Sequence, residues 1–246
     1  MNPELKSLHD AATRPFLGAG RHAWHSVRGK MRFDPVFFAL LMRGLLPDRG
    51  ELLDLGCGRG VLLALLAAAR DQYLAGAWPR HWPPPPLHLT LHGLDFQAGA
   101  ICTARLALGS RAHLEHVDIR HAEFAPCAAI VILDALLYLN ESDQTRLLER
   151  AAAALNPDGV LLVREADAGA GFTFRMTQCA ERLAAVSSGR GWQSLHYRRT
   201  TEWLRLLESI GLSVSTAPMS AGTPFANVLL VARRQGSLQA VLPAIS

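Results

Sequence analysis

Five residues, Gly56-Cys57-Gly58-Arg59-Gly60, limit the fold of this chain more tightly than any other feature. A short apolar run, Glu51 to Leu55, leads into them, and a longer one, Val61 to Arg70, leads away. The first has the length of a buried strand and the second that of a helix. Glycines at such a junction allow positive φ and let a ligand approach the backbone. The free amides of the following helical turn then face that ligand. Two nucleotide-binding alternatives lose ground on spacing. A dinucleotide turn reads G-x-G-x-x-G, whereas here the third glycine comes early, at Gly60, and Val61 follows. A P-loop ends in Gly-Lys-Ser or Gly-Lys-Thr, and this segment has neither.

The rest of the chain repeats the alternation of short apolar runs with amphipathic ones. Strands are expected at Leu87 to Leu94, Ala112 to Val117, Ala128 to Leu133 and Gly159 to Arg164. Helices are expected at Gln97 to Leu108 and Glu141 to Leu155, near Phe174 to Val186, and at Thr200 to Ile210 with Gly211 as stop signal. Leu212 to Ala217 and Ala226 to Ala232 read as two closing strands. The pattern predicts an α/β, Rossmann-like, seven-stranded, mostly parallel sheet with helices on both faces and an antiparallel last strand. Residues 1–50 read as a helical preamble or lid, 51–234 as the main domain and 235–246 as a tail. Trp78 to Pro86, with four consecutive prolines, reads as a stiff surface insertion.

Composition restricts the class further. Half of the residues are hydrophobic and 19% are charged, a globular balance. The net charge of +4 permits an anionic partner without requiring one. The 25 basic residues are almost all arginine, the only lysines being Lys6 and Lys30, as a genome-composition bias would produce. Cys57, Cys102, Cys127 and Cys179 lack zinc-site spacing and read as reduced thiols of a cytoplasmic protein. Neither Val61 to Ala69 nor Ala128 to Leu139 is long enough to span a bilayer.

Leu52-Leu53-Asp54-Leu55-Gly56-Cys57-Gly58-Arg59-Gly60 closely resembles the first motif of class I S-adenosylmethionine-dependent methyltransferases, and further landmarks follow in order from Glu51 to Arg234. The resemblance implies S-adenosylmethionine as cofactor, with Asp54, Gly56, Cys57 and Gly58 under its methionyl end. Asp95, closing the second strand, would accept the ribose hydroxyls through its two oxygens, with Phe96 packed near the sugar or adenine. Asp118 and Ile119 would flank the adenine. Asp134, leaving the fourth strand, would help hold the sulfonium end, beside Tyr138. A helix before the first strand would lid the cofactor, with Lys30 or Arg28 pairing its carboxylate. The bland alternatives are a helix-capping or turn acid for Asp54, a solvated loop acid for Asp118 and a cap of the following turn for Asp134.

Methyl transfer from a sulfonium needs alignment and exclusion of water, and neither metal nor covalent nucleophile. Where a base is needed, His196 is the first choice, with His22 and His25 as rivals; Tyr138 is the other catalytic candidate. Glu165, Asp167, Tyr197, Met219 and Phe225 stand at the strand ends where an acceptor would bind. The fourth strand leads into Asp-Ala-Leu-Leu and not the Asn/Asp-Pro-Pro-Tyr of base-amino methyltransferases. A small organic acceptor, free or carrier-bound, is therefore preferred over nucleic acid. Segments 28–35 and 222–228 also resemble a bacterial subgroup associated with aryl-polyene and fatty-acid-like pigments, which implies an aromatic or polyene acceptor methylated on oxygen or carbon. The competing readings are a nucleic-acid methyltransferase, a cofactor-binding partner without turnover, and a nicotinamide dehydrogenase.

Overall fold

The computed structural model describes residues 1–171, 173–174, 177–178, 194–220, 223 and 225–235. Seven strands form one sheet: β1 Arg49–Leu55, β2 His88–Asp95, β3 His113–His116, β4 Cys127–Leu133, β5 Leu155–Ala166, β6 Leu212–Pro218 and β7 Asn227–Arg234. Their order is β3-β2-β1-β4-β5-β7-β6. Only β7 runs antiparallel to its neighbours, as the sequence pattern predicts. The order reverses between β1 and β4, so the loops leaving those strands diverge and open a crevice at their carboxyl ends.

Alternate residues of the strands feed two cores. On one face Leu52, Leu91, Leu114 and Val131 meet the helices α1 Pro3–Thr13, α2 Arg21–Phe33, α3 Val36–Met42, α4 Val61–Leu74 and α5 Ala98–Leu108. On the other, Leu53, Leu94, Ile130 and Val163 meet α6 Glu141–Ala154 and α7 Thr200–Ser209. Fully burying one leucine contributes roughly 1.5–3 kcal/mol, so both layers are firmly held. The central strand β4 is buried at every position, which its unbroken run Cys127 to Leu133 encodes.

Three departures from the sequence pattern have physical causes. Between the helix expected to end at Leu155 and the strand expected to begin at Gly159 there is no separate turn but a bulge inside β5: Cys127 pairs with Leu155 and Ala129 with Val160, so the intervening residues loop out. Helix α4 runs on to Leu74, past the apolar run, because nothing in Asp71-Gln72-Tyr73 breaks it. The proline-rich insertion is less solvated than expected. Trp78 and Trp82 meet edge to face at 5.1 Å and pack against the first core, and Trp78 Nε1 donates to the Pro83 carbonyl at 3.1 Å. The helix expected over 174–186 falls largely outside the described residues. So does the tail beyond Gln235.

Candidate functional site

The glycine turn is built by β1 and β2 together. Gly56 and Cys57 donate their amides to the Leu94 carbonyl at 2.8 and 3.0 Å, which holds the turn over the end of β2. Asp95 then accepts from Gly58 N through Oδ2 at 2.8 Å and from Gln97 N through Oδ1 at 2.8 Å. One carboxylate thereby fixes both the glycine turn and the entry to α5. Each oxygen keeps further acceptor capacity. Gly56 and Gly58 have φ of 77° and 55°. A Cβ on Gly56 would strike that of Ala135 at 2.6 Å, whereas one on Gly58 would meet nothing within 4 Å. Gly56 is thus required by packing, while Gly58 borders open space.

That space is a cavity of about 770 Å³ lined by Lys30, Asp54, Gly56, Cys57, Gly58, Phe96 and Asp134, with residues of α2 and α3 as its outer wall. A second cavity of about 490 Å³ adjoins it, sharing Gly56, Phe96, Asp134 and Tyr138 and adding Asp95, Asp118 and Ile119. All ten cofactor positions singled out from sequence therefore line one continuous crevice, and so does Tyr138. The domain boundary expected at residue 50 does not divide it. Ser26, Val27, Lys30 and Phe33 come from α2.

The electrostatics of the crevice are acidic. Asp54 is 3% exposed, and its carboxyl is pushed up to about 7 by burial and by Asp95, with Lys30 opposing. The Cys57 thiol is raised far above the ordinary range by burial and by Asp54 and Asp95, so it packs as an inert neutral group. Asp118, at the rim, is gripped by Arg120 through Nε at 2.9 Å and Nη2 at 2.6 Å, which holds its carboxyl below the usual range.

Asp134 has φ of 55°, a positive value shared among the described residues only with glycines. Its amide donates to the Arg164 carbonyl at 3.1 Å. Its carboxylate meets the Arg164 guanidinium and lies 3.5 Å from Lys30 Nζ. Arg164, 1% exposed, also forks onto Asp34 at 2.9 and 2.8 Å. Sequence reasoning passed over Asp34 and Arg164. The available signal was the arginine itself: Val160-Leu161-Leu162-Val163-Arg164 is a buried strand, and a buried guanidinium requires carboxylate partners.

The substrate-side candidates separate clearly. Phe225 lines the larger cavity, together with Thr223, Asn227 and Phe37, which the sequence did not single out. His196 lines neither cavity; its backbone ties the Leu137 carbonyl to Gln144 at 2.8 and 3.1 Å. His22 and His25 are exposed on α2, away from both cavities, and Arg28 turns to Asp10 at 2.6 Å. Glu165 is buried and accepts from Leu136 N at 2.9 Å. Asp167 accepts from Gly169 N and Thr200 N at 2.8 and 3.0 Å. Met219 is core, and Tyr197 meets Phe174 edge to face.

A family model described as a methyltransferase domain matches residues 24–217. The carboxy-S-adenosyl-L-methionine synthase of Chromohalobacter salexigens is 31% identical over 134 residues, which make up 50% of this chain and 44% of that protein. An O-methyltransferase family protein from Burkholderia thailandensis superposes with a TM-score of 0.60 at 18% identity, over 90% of this chain and 62% of that one. The magnesium protoporphyrin IX methyltransferase of Synechocystis PCC 6803 with bound SAH gives 0.56 at 17%, covering 86% of each chain. An O-methyltransferase from neocarzinostatin biosynthesis, in complex with S-adenosylmethionine and 2-hydroxy-5-methyl naphthoic acid, gives 0.56 at 23%, over 92% of this chain and 60% of that one. At such identities the structural likeness speaks to the fold, while the family match covers the glycine turn and every acid of the crevice. This chain belongs to the methyltransferase-domain family, in its class I form.

Proposed function

We propose that this protein transfers a methyl group from S-adenosylmethionine to a small organic acceptor. The observation that carries the reading is Gly58. Its left-handed backbone is held by Asp95 beneath unfilled space in an acid-lined crevice. A cradle of this kind, closed by carboxylates at its base, fits a cationic sulfonium nucleoside. The donor supplies an electrophilic methyl when bound.

The roles follow from position. Lys30 pairs the methionyl carboxylate, and Asp54 faces the methionyl ammonium across the turn at Gly56, Cys57 and Gly58. Asp95 offers its remaining lone pairs to the ribose hydroxyls, with Phe96 against the ring system. Asp118 and Ile119 border the adenine end. Asp134 holds the sulfonium end, its unusual backbone maintained by Arg164. Tyr138 borders both cavities and offers its hydroxyl to the acceptor side. His196 is kept out of the acceptor's path by its place outside both linings. The aromatic margin formed by Phe33, Phe37 and Phe225 favours a flat or conjugated acceptor. That suits the aromatic, polyene or acyl precursor implied by the pigment-pathway resemblance, whether free or presented on a carrier.

The test is transfer of labelled methyl from S-adenosylmethionine to a panel of phenols, aromatic acids and carrier-linked acyl chains, with products identified by mass spectrometry. Expected is turnover on at least one conjugated acceptor, with S-adenosylhomocysteine formed in equal amount. Cofactor binding without any transfer across the panel would favour an inactive partner protein. A second reading comes from the curated relative: the methyl carbon of the sulfonium gives up a proton and takes a carboxyl group from a carboxylic-acid co-substrate, which leaves with the proton in the carboxyl's place. The same mass spectra separate the two, since this route gives a carboxylated sulfonium nucleoside and no S-adenosylhomocysteine.

A further inference from the structure

A second cluster of chemistry-bearing side chains lies away from the crevice, on the sheet face that α6 and α7 cover elsewhere. Residues 117–126, linking β3 to β4, form no helix. The β1, β2 and β3 end of that face therefore carries polar residues in place of apolar ones. Glu51 from β1, His92 from β2 and His113 and Glu115 from β3 project there together. His92 and His113 are register partners. Glu51 and Glu115 sit diagonally to His92, within reach of long side chains.

Their contacts are at hydrogen-bond distance. His92 lies between two carboxylates, with Nδ1 3.0 Å from Glu51 Oε1 and Nε2 2.8 Å from Glu115 Oε1. His113 Nε2 reaches the same Glu115 oxygen at 3.1 Å. A carboxylate only accepts, so whatever lies between it and each ring nitrogen must be a proton or a cation. One ligand atom each from His92, His113 and Glu115 falls within 4.8 Å of the others. Zinc held at about 2.0–2.1 Å by nitrogen and oxygen in tetrahedral array spaces neighbouring ligand atoms roughly 3.3 Å apart. His113 and Glu115, whose side chains are 68% and 46% exposed, have room to adjust to that spacing.

We infer that His92, His113 and Glu115 form a binding site for a divalent transition-metal cation of the zinc class, with Glu51 as the outer carboxylate that orients His92. Glu51 fixes the proton of His92 on Nδ1 and leaves Nε2 to the metal, the usual arrangement behind a metal-bound imidazole. Two imidazoles and one carboxylate select such a cation over calcium or magnesium, which take oxygen ligands. The fourth position faces solvent. The site clamps the edge strand β3 to β2, and β3 leads directly into Asp118 and Ile119 of the smaller cavity. It is independent of the methyl-transfer reading. Its ligands come from two consecutive strands and include no cysteine, and only the parallel pairing of β2 with β3 brings them together.

The experiment is titration of tag-free, chelator-stripped protein with zinc by calorimetry, and with cobalt(II) by visible absorption. The expected result is one saturable equivalent with a tetrahedral cobalt spectrum and a higher unfolding temperature with zinc. Both are lost in the paired variant His113→Ala/Glu115→Gln, which alters exposed side chains that fold does not need. Glu51→Gln should weaken binding about 10–100-fold without abolishing it, and His22→Ala/His25→Ala should change nothing. Absence of a saturable equivalent in the unmodified chain overturns the assignment, as does an equivalent that survives the His113/Glu115 change. Affinity for S-adenosylhomocysteine, measured on the same variants, reports separately on the crevice.

Discussion

Asp54 carries the most informative single-residue chemistry. Burial, and then the neighbouring Asp95, disfavour its charge and push its carboxyl up to about 7 in the folded chain, from about 4 in an unfolded one. Between those values the folded chain binds the proton and the unfolded chain does not, so stability falls as pH rises from about 4 to about 7 and is level above. The full effect is roughly 4 kcal/mol. Urea unfolding of the apoprotein across that range should show the fall, and Asp54→Asn should flatten it. The donor's ammonium should reverse the preference by favouring the ionised carboxylate. Affinity for S-adenosylhomocysteine is therefore expected to rise from pH 5.5 to 7 in the native chain and to stay nearly constant in Asp54→Asn. Gly58→Ala gives a second check. At a φ of 55° with no clash, it should cost only about 1–2 kcal/mol of stability. Cofactor affinity should fall at least tenfold, since the new methyl enters the crevice.

Among the elements, the α2–α3 corner is tied to β5 by a buried ion pair. Arg164 is buried, and Asp34 and Asp134 neutralise it from two sides. Removing Asp34 strips a buried guanidinium of two charge-assisted hydrogen bonds while Asp134 stays in place, and breaking such a buried pair typically costs about 3–5 kcal/mol. Asp34→Ala should lower stability on that scale in urea melts and loosen the outer wall of the larger cavity. Asp34→Asn should recover part of it by keeping an acceptor oxygen. This join also marks where the sequence stopped being readable. Strands, helices and their order were legible because each buried element leaves a hydrophobic period. The crevice acids were legible because each stands at a strand end beside a known motif. The Asp34–Arg164 pairing joins residues far apart in the chain and follows no period. His196 was misleading for a related reason: a histidine near a strand end carries no mark of whether it faces the site, and here backbone contacts to Leu137 and Gln144 set its place.

Across the whole molecule, several arginines among the described residues bind the protein's own backbone. Arg105 donates to the Leu114 carbonyl, Arg150 to those of Ile119, Arg120 and Ala122, and Arg234 to those of Ala152 and Ala153. Arg198 reaches Gln144 and the Glu141 carbonyl. Guanidinium forks suit this work, satisfying carbonyls at bulges and helix ends where a lysine would serve one at most. Guanidinium groups turned onto internal carbonyls in this way are not offered to a phosphate backbone. Gel-shift or anisotropy assays with RNA and DNA near physiological salt should accordingly show no binding tighter than nonspecific. No helix among the described residues is long and apolar enough to cross a membrane. The preamble helices, the sheet tips and the β7 approach all contribute walls to one crevice, so a ligand there should stabilise the entire fold, by about 2.7 kcal/mol at a hundredfold excess over its Kd.

Calorimetry of S-adenosylhomocysteine against the native chain and Asp95→Ala reads the crevice without requiring the acceptor to be known. A single site is expected in the native chain, weakened by about 1.5–3 kcal/mol in the variant, the scale of a lost charge-assisted hydrogen bond. No heat of binding in the native chain, or equal affinity in both, would contradict a donor seated over Gly58 and Asp95.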